Sequence, residues 1–209
     1  MSADSPQART YHALLFDIGG VLVPLHIERA YRQMAAACAM APEEIPARLF
    51  STRVLDRYER GQLGDQEFFT EVRTLLGARV GYEEFCRIWC SLFDVETLIP
   101  AGFLAALAGR YRLVLLSNTN PIHVARLRAG CAAIPHFHDA VFSHEVGSMK
   151  PETAIFEEAI RRAGCPPSEC FYVDDGAPHV DAARRLGIDA VRFEGFEALK
   201  AEMRARGIL

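Results

Sequence analysis

Five short apolar runs mark the chain, and in each run the apolar residues are continuous rather than alternating. Continuous runs rich in Val, Leu and aromatic residues are typical of parallel strands that are buried on both faces of a sheet. The runs are ALLF before Asp17, LVLL before Ser117, AVFS around Phe142, FYVD before Asp175 and DAVRF ending at Phe193. The pattern therefore predicts a buried parallel strand at each of these places.

Helical segments alternate with the predicted strands. They carry apolar residues at every third or fourth position, which indicates helices with one buried face. The segments are 99–110, 122–129, 152–163 and 180–186. A glycine follows three of them, and Gly130, Gly164 and Gly187 are predicted to end these helices. Alternating strands and helices predict an α/β fold, a right-handed parallel sheet with helices on both faces.

The interval from about residue 26 to residue 93 has a different character, because it offers no convincing strand. Its clearest helical segments are 49–58, 67–76 and 83–92, with turn signals at Gly61, Gly64 and 77–81. We expect an all-helical insert directly after the first strand. The final helical segment, 196–206, carries enough charge to lie on the surface.

Composition and charge narrow the class of protein. The chain has 209 residues, half of them hydrophobic, so it can bury a full core without disulfides. Its net charge of −4 argues against a nucleic acid or an anionic membrane as partner, because such surfaces select clustered Lys and Arg. No apolar run approaches the roughly 20 residues that cross a bilayer, and the polar start does not resemble a signal peptide, so we expect a cytoplasmic protein.

The cysteines indicate neither a metal site nor a disulfide framework. The six cysteines form no CxxC pair and no zinc-like group with histidine, which favours reduced and mostly buried thiols. The sequence leaves open whether the protein is a monomer or a homodimer.

Polar residues stand at the carboxyl ends of three predicted strands: Asp17, then Ser117 and Asn118, then Asp174 and Asp175. In an open α/β sheet these ends line the ligand crevice, so groups far apart in sequence converge there. Carboxylates that are brought close together repel each other unless a cation neutralises them. Mg²⁺ is the natural occupant, because it prefers oxygen ligands and keeps waters or phosphate oxygens in its remaining positions.

Lys150 lies in SMKPE, where Pro151 is predicted to start a helix and to leave the lysine on the preceding loop. A lysine that reaches the carboxylates would offset their charge and hold a phosphate oxygen. Each of these features alone is more often a cap or a surface turn than a catalytic group. Their order and context along the chain are what make them specific.

The order DIGGV after a strand, LLSN, KPE and VDD resembles the four signature motifs of the haloacid dehalogenase superfamily of hydrolases, over about residues 13–193. With YERGQL in the insert, the sequence is most similar to bacterial sugar-phosphate phosphatases of the glucose-1-phosphate type, and it also resembles the phosphatase domain of soluble epoxide hydrolases. The resemblance implies a Rossmann-like three-layer α/β/α core, residues 1–23 and 98–209, with a small all-helical cap, residues 24–97. It also implies Mg²⁺-dependent hydrolysis of a small phosphorylated metabolite, such as a sugar phosphate, through an aspartyl phosphate.

The resemblance implies a role for each residue of the first three motifs. Asp17 corresponds to the nucleophile and to a metal ligand, and the backbone carbonyl of Gly19 corresponds to a further ligand. Ser117 and Asn118 correspond to the phosphate-binding pair, and Lys150 corresponds to the lysine that stabilises charge.

In the fourth motif, Asp174 and Asp175 correspond to the acidic pair that holds the metal. Asp175 is the expected direct ligand, and Asp174 is expected to bind directly or through water. Asp181, further along the same segment, either supports this pair or is an ordinary carboxylate on a helix surface.

In the insert, Glu59 and Arg60 of YERGQL correspond to a cap turn that faces the substrate. The alternative interpretation of this segment is a helix end that is closed by Gly61. The first interpretation makes both side chains candidates for substrate binding.

One position departs from the family pattern. Most phosphatases of the superfamily carry a second Asp two residues after the nucleophile, which protonates the leaving oxygen and then activates water. Gly19 occupies this position here. Departure of the oxygen must therefore rely on water, on a cap residue or on the leaving group itself, and His26 is either a candidate proton donor or an ordinary loop histidine.

Two other functions remain open from the sequence. A carbon–halogen hydrolase is one, because dehalogenases of the superfamily also lack the second Asp and need no metal, although two adjacent acids argue against a metal-free site. The other is a non-catalytic protein that keeps the fold and binds Mg²⁺ and phosphate without turnover.

Overall fold

The structure is a computed structural model that describes residues 9–209. Residues 1–8, which belong to the predicted core segment 1–23 and to its polar start, lie outside the described residues. The strands are β1 (Ala13–Phe16), β2 (Arg112–Ser117), β3 (Asp139–Phe142), β4 (Cys170–Asp174) and β5 (Asp189–Arg192). They form one parallel sheet in the order β3-β2-β1-β4-β5. Each strand lies at one of the five apolar runs, so the predicted parallel sheet is confirmed.

Eleven α-helices lie in the described residues. They are α1 (Ile27–Cys38), α2 (Glu44–Ser51), α3 (Val54–Glu59), α4 (Asp65–Leu76), α5 (Tyr82–Trp89), α6 (Ala101–Ala108), α7 (Pro121–Gly130), α8 (Ser143–Val146), α9 (Thr153–Ala163), α10 (Ala177–Arg185) and α11 (Phe196–Ala205). The first five follow one another after β1, and the others alternate with the strands. The short helix α8 is the only one of the later helices that the apolar pattern does not predict.

Helices cover both faces of the sheet. Successive strand residues point to opposite faces, so Leu14 and Phe16 of β1 pack on one side, and Ala13 and Leu15 pack on the other. Helices α6, α7 and α11 cover the first face, and α9 and α10 cover the second. The predicted three-layer α/β/α core with a Rossmann-like sheet is therefore confirmed.

The helical insert has a hydrophobic cluster of its own, built largely from aromatic side chains. Phe68 of α4 stacks on Tyr58 of α3 with ring centroids 3.9 Å apart, and it meets Trp89 of α5 edge to face. The two segments that join the insert to the core run side by side, because Leu25 and Phe93 form an antiparallel bridge. On these features we propose that residues 24–97 form the cap subdomain.

Two predicted helices of the insert have different bounds in the structure. The predicted helix 49–58 is two helices, because Thr52 has an extended backbone between α2 and α3. The predicted helix 83–92 ends at Trp89 and continues as a 3₁₀ turn over Cys90–Leu92. A three-to-four spacing of apolar residues indicates helix on both sides of such a break and does not reveal the break.

Helix α1 was not among the clearest predicted segments. Its buried face consists of Ala30, Met34 and Ala35, and two small side chains give a weak apolar signal. The helix is held by packing against α2 and α5. Tertiary contacts therefore decide its conformation more than the local pattern does.

All three predicted glycine stops lie at helix ends, but their backbone geometry differs. Gly130 is the last residue of α7 rather than a left-handed residue beyond it, and Cys131 caps the helix. Gly164 and Gly187 do follow their helices with left-handed backbones, at φ of 73° and 87°. A glycine marks a helix end in all three places, but only two of the ends need its conformational freedom.

The remaining predictions concern the surface, the thiols and the membrane. Helix α11 exposes its charged side and buries Leu199 and Met203 against the sheet. All six cysteines lie in the described residues as free thiols. In this part of the chain no helix combines the length and the apolar character that a membrane crossing requires.

Candidate active site

The carboxyl ends of β1, β2 and β4 bring polar residues to one edge of the sheet. Asp17 directly follows β1, Ser117 ends β2, and Asp174 ends β4. The parallel pairing of β1 with both neighbours places these three ends side by side. The predicted site residues of the core that line one cavity at this edge are Asp17, Gly19, Ser117, Asn118, Lys150 and Asp175.

Lys150 lies on the loop before α9, which begins at Thr153 rather than at Pro151 as predicted. Its side chain is 1% exposed, and Nζ lies 2.9 Å from Oδ1 of Asp17 and 2.6 Å from Oδ2 of Asp174. Burial alone would lower the pKa of Lys150, but the charges of the two carboxylates outweigh burial and raise this pKa above its usual value. Lys150 therefore stays a cation and joins the first motif to the last.

Asp174 is fully buried and saturated with hydrogen bonds. Its Oδ2 accepts from Lys150 and from the hydroxyl of Tyr172, and its Oδ1 accepts from the backbone N–H of Gly176 at 2.7 Å and from Nδ1 of His179 at 3.0 Å. Burial raises the pKa of Asp174, but these donors outweigh burial and hold the pKa far below its ordinary range. With four acceptor positions used, Asp174 orients Lys150 rather than offering a free oxygen.

Asp17 keeps one carboxylate oxygen open. Its Oδ1 accepts from the backbone N–H of Ile18 at 2.7 Å and from Nζ of Lys150 at 2.9 Å, whereas no described donor contacts Oδ2. Burial raises the pKa of Asp17, and Lys150 offsets only part of this rise, to which Asp174 adds. A cation beside Oδ2 would lower the pKa again and favour the ionised form.

The acidic cluster fits a hard cation such as Mg²⁺. One carboxylate oxygen from each of Asp17, Asp174 and Asp175 lies within 4.8 Å of the others. Because Asp174 is saturated, the open ligands are Oδ2 of Asp17 and the carboxylate of Asp175. No described backbone N–H donates to the carbonyl of Gly19, so this oxygen is open as well. Mg²⁺ accepts this kind of ligand set, one or two carboxylates supplemented by other oxygens and water.

Gly20 allows Asp175 to approach the loop after β1. Its φ is 74°, a left-handed conformation that favours glycine, and a Cβ at this position would lie 2.4 Å from Oδ2 of Asp175. Any side chain there would displace the carboxylate. The second glycine of DIGGV is therefore required by an acidic residue of the last motif.

Ser117 and Asn118 have different partners. Oδ1 of Asn118 accepts from the backbone N–H of Lys150 at 2.8 Å, and its amide donates to the carbonyl of Lys150 at 3.0 Å. The hydroxyl of Ser117 has only a 3.5 Å contact to the carbonyl of Asn118. In the predicted phosphate-binding pair, Ser117 therefore has the hydroxyl that is free for a ligand, whereas Asn118 holds the loop that carries Lys150.

The two predicted residues of the insert separate in the structure. Glu59, the last residue of α3, lines the cavity, and its carboxyl group has no hydrogen-bond or ion-pair partner in the described residues. Burial, with a smaller contribution from the charge of Asp56, raises the pKa of Glu59 to about 7. Glu59 is thus a partly buried acid that faces the same space as Asp17.

Arg60 points elsewhere and does not line the cavity. Its guanidinium lies 2.7 Å from Oε1 of Glu152 and 3.1 Å from Oδ1 of Asp56, so it joins the insert to the core. Gly61 follows with a φ of 69° and closes α3, as the alternative interpretation of this segment expects. The geometry indicates that Arg60 stabilises the contact between the insert and the core rather than contacting a substrate.

Two further candidates lie away from the cavity. Asp181 is exposed on α10, 3.6 Å from Arg184, which matches the alternative of a helix-surface carboxylate. Nε2 of His26 pairs with Oδ2 of Asp94 at 3.0 Å, and His26 does not line the cavity. This position favours the ordinary loop histidine over a proton donor.

Tyr172 and His179 were not predicted as site residues, and both contact Asp174. Tyr172 stands two residues before Asp174 on β4, so both side chains leave the strand on the same face. His179 lies in the first turn of α10, directly after the acidic pair. Because side chains alternate along a strand, the sequence alone indicates that Tyr172 lies on the same face of β4 as Asp174. The position of His179 depends on the conformation of the turn between β4 and α10, which the sequence pattern does not reveal.

A cavity of about 400 Å³ lies between the sheet edge and the insert. The core side supplies the charged groups described above. The insert side is mainly apolar, and it includes Met34 from α1, Leu49 from α2 and Ile88 from α5. The indole N–H of Trp89 is buried there without a hydrogen-bond partner in the described residues. The cavity is of the size that holds a small molecule, charged at one end and apolar at the other.

Comparison with known proteins agrees with this geometry. A model of the haloacid dehalogenase-like hydrolase family matches residues 11–187. A D-ribitol-5-phosphate phosphatase from Bacteroides thetaiotaomicron is 25% identical over 187 residues, which cover 87% of this chain and 91% of that protein. A solved structure of a HAD family enzyme from this organism superimposes with a TM-score of 0.82 at 27% identity, over 93% of this chain and 99% of the other. Another, a complex with magnesium and inorganic phosphate, has a TM-score of 0.78 at 26% identity, over 88% and 95%.

The chain belongs to the haloacid dehalogenase-like hydrolase family, because the family model matches most of its length. The predicted family, fold and class of enzyme, a hydrolase with phosphatases among its relatives, are confirmed. The finer resemblance to phosphatases of the glucose-1-phosphate type stays a prediction.

Proposed function

We propose that this chain is a Mg²⁺-dependent phosphomonoesterase that acts on a small phosphorylated metabolite through an aspartyl phosphate on Asp17. The proposal rests on the hydrogen bonding of the Asp17 carboxylate. Oδ1 accepts from Lys150 and from the N–H of Ile18, and Oδ2 is open to the cavity. A carboxylate that is fixed at one oxygen and open at the other is oriented for attack on a bound ester. The relative named as a D-ribitol-5-phosphate phosphatase supports a phosphate monoester as the substrate.

The proposed reaction has two steps. Oδ2 of Asp17 bonds to phosphorus while the bond from phosphorus to the alcohol oxygen breaks, and the alcohol leaves. Lys150 offsets the charge of Asp17 and of the phosphoryl oxygens, and Ser117 donates a hydrogen bond to one of these oxygens. Water then attacks phosphorus, which releases phosphate and restores the carboxylate of Asp17.

Asp17, Gly19 and Asp175 are the residues that would hold Mg²⁺, with Asp174 fixed behind them by its own donors. When bound, the ion supplies positive charge that favours the ionised form of Asp17 and neutralises phosphoryl oxygens. The HAD relative in complex with magnesium and inorganic phosphate supports this assignment. Glu59 remains a candidate for contact with the substrate, because it faces the same cavity.

The geometry favours this function over the two alternatives. A metal-free carbon–halogen hydrolase gains nothing from Asp175, whose carboxylate beside Asp17 only adds repulsion. A non-catalytic binding protein has no need of an attacking oxygen that Lys150 holds in place. The open oxygen and the open acidic ligand together favour turnover with a metal.

Replacement of the proposed nucleophile tests the covalent mechanism. Asp17→Asn is expected to lower phosphate release from 4-nitrophenyl phosphate on the order of 10⁴-fold or more, because an amide does not form the acyl phosphate. Thermal unfolding of the same variant shows whether the fold is kept. Asp181→Asn makes the same change on the exposed side of α10 and is expected to keep the wild-type rate. Release at the wild-type rate by Asp17→Asn contradicts the mechanism.

Removal of the metal tests the cofactor separately. Treatment with EDTA followed by dialysis is expected to abolish activity, and Mg²⁺ is expected to restore it, because Asp17 and Asp175 repel each other without a cation. Asp175→Ala should raise the Mg²⁺ concentration for half-maximal activity at least about tenfold, and Ca²⁺ should substitute poorly because it prefers more ligands at longer distances. Full phosphatase activity in EDTA would rule out the metal requirement, and halide release from a haloacid under that condition would favour the dehalogenase.

A further inference from the structure

The wall of the cavity that faces Asp17 from the insert carries few polar atoms. Met34, Leu49, Leu55 and Ile88 supply much of this side, each from a different helix. Apolar walls select apolar groups, because both surfaces leave water when the ligand binds. The contribution of four separate helices makes this apolar wall a property of the whole insert.

Large apolar side chains that reach solvent also gather at this cavity. Leu25, Ile27 and Phe50 are 42%, 49% and 66% exposed, and all three line it. In the described residues, the other exposed large apolar side chains are Leu98 and Leu209, each at 39%, and neither lines the cavity. Exposed apolar side chains that cluster at a concave site indicate a surface for a ligand.

Leu25 brings this apolar wall to the reacting loop. A Cβ on Gly19 would lie 3.0 Å and 3.2 Å from the two δ carbons of Leu25. Most phosphatases of the family carry an acidic side chain at this position, whereas here an apolar side chain takes up the adjoining space. The space beside Gly19 is therefore lined by carbon atoms of Leu25 rather than by a carboxylate.

Hydrogen-bonding capacity on the insert side is small. Of the cavity-lining residues in the insert, only Tyr31, Glu59 and Trp89 carry polar side-chain atoms. A polyol chain bears a hydroxyl group on every carbon, and each buried hydroxyl needs a partner to replace water. An alkyl chain or an aryl ring has no such need and gains from burial against the apolar wall.

We infer that the alcohol part of the substrate is mainly apolar, an alkyl or aryl group rather than a polyol. This inference rests on the proposed phosphatase activity, because the charged end of the same cavity is taken to bind the phosphoryl group. It separates this chain from its relative named as a D-ribitol-5-phosphate phosphatase, since ribitol is a polyol.

Pentyl phosphate and D-ribitol 5-phosphate form a matched pair of substrates. Both are primary phosphate esters of the same carbon chain, and they differ only in the hydroxyl groups. The wild-type kcat/KM for pentyl phosphate is expected to exceed that for D-ribitol 5-phosphate at least about tenfold. 4-Nitrophenyl phosphate is measured alongside as a general phosphatase substrate.

A pair of variants tests the location of the apolar wall. Leu55→Asn places an amide of similar size in the wall and should lower the ratio of the two specificity constants about tenfold. Leu98→Asn makes the same change at an exposed leucine outside the cavity and should leave the ratio unchanged. Thermal unfolding of both variants accompanies the kinetics.

The outcomes separate this inference from the proposed activity. A preference for D-ribitol 5-phosphate, in an enzyme that hydrolyses 4-nitrophenyl phosphate, would overturn the inference and leave the phosphatase activity standing. The same ratio in Leu55→Asn as in the wild type would also overturn it. No hydrolysis of any of the three esters would overturn the phosphatase activity and the inference with it.

A separate observation concerns the proton that the departing alcohol needs. Gly19 provides no acid, and the two histidines that line the cavity have partners already. Nδ1 of His179 donates to Asp174 at 3.0 Å, and Nε2 of His123 donates to the carbonyl of Trp89 at 3.1 Å. Both ring nitrogens of His123 are engaged, because Nδ1 also contacts the side chain of Asn120 at 3.0 Å, so His123 is not free to protonate a leaving oxygen. In His179 the contact with Asp174 engages Nδ1 and leaves Nε2 without a partner in the described residues.

Glu59 is the acidic side chain that the insert contributes to the cavity. It has no hydrogen-bond or ion-pair partner in the described residues, so its proton is not shared with a neighbouring group. Burial raises the pKa of Glu59 to about 7, with Asp56 adding to the rise, so the group stays protonated up to near-neutral pH. A general acid is most effective when its pKa lies near the working pH.

Other groups that titrate or carry charge also face this cavity. Helices α2, α4 and α8 pack against α3, and none of them adds a charged side chain to the cavity. Tyr31 comes from α1, and the core supplies Asp17, His123, Lys150, Asp175 and His179. On the insert side, Glu59 is therefore the group whose titration changes the charge of the cavity near neutral pH.

We propose that Glu59 donates the proton that the alcohol oxygen takes as its bond to phosphorus breaks. Glu59 is left as a carboxylate. It then takes a proton from the water that attacks the aspartyl phosphate, which returns it to the acid form. A residue of the insert thus performs both proton transfers that a second Asp performs in most phosphatases of the family.

Glu59→Gln keeps the size of the side chain and removes the transferable proton. For the primary alkyl phosphate that the wild type prefers, the single-turnover rate is expected to fall about 10²- to 10⁴-fold. For 4-nitrophenyl phosphate little change is expected, because nitrophenolate leaves without a proton. The wild-type rate on the alkyl phosphate should decline above about pH 7 as Glu59 loses its proton, and this decline should be absent in the variant.

Glu83→Gln, at an exposed position of α5, is the control and should change neither the rates nor the pH profile. An equal fall for the alkyl and the aryl ester in Glu59→Gln would indicate a role in binding or folding and would overturn the proposal. So would a decline at alkaline pH that persists in the variant.

Discussion

The structure of the site depends on one buried ammonium group that lies between two carboxylates. Lys150 contacts Asp17 after β1 and Asp174 at the end of β4, so three chain segments meet at one ion. A buried ion costs several kcal/mol unless partners compensate it, and the loss of one partner leaves the others uncompensated. Asp174 is held ionised by four donors and balances the charge of the lysine, which leaves the charge of Asp17 to be balanced by a further cation.

The charged end of the cavity faces the apolar wall that the insert supplies. The insert contributes apolar side chains and very few hydrogen-bonding groups, so the two ends of the cavity favour the two ends of an ester with an apolar alcohol. The insert is also tied to the catalytic loop, since Arg60 pairs with Glu152, and Glu152 accepts from Ser148 and from the N–H of Met149. The Arg60–Glu152 ion pair, which positions the insert and its apolar wall, thus lies next to the loop that carries Lys150.

The sheet and the charged groups at its edge can be predicted from the sequence, whereas the apolar wall of the cavity cannot. A strand buried on both faces leaves a continuous apolar run, and a parallel sheet brings polar residues such as Asp17, Ser117 and Asp174 to one edge. Helix α1 and the break at Thr52 depend on packing within the insert, so local periodicity does not reveal them.

The individual partners of the site residues also lie beyond sequence patterns. That Asn118 holds a backbone segment, that Arg60 pairs across to Glu152 and that Glu59 has no partner are all results of tertiary placement. The same is true of Leu25, which is six residues from Gly19 in sequence and occupies the space beside it. Motifs identify the groups that react, and packing decides what surrounds them.

The central claim is that the phosphoryl group passes through Asp17. The most direct measurement mixes the enzyme, Mg²⁺ and a phosphate ester, stops the reaction with acid within the first turnover, and determines the mass of the peptide that contains Asp17. We expect one phosphoryl group on Asp17 that forms as the alcohol is released and disappears as phosphate appears. The measurement is repeated under conditions that slow hydrolysis of the aspartyl phosphate. The claim would be contradicted if alcohol and phosphate were released at the same rate and Asp17 were unmodified at every time point.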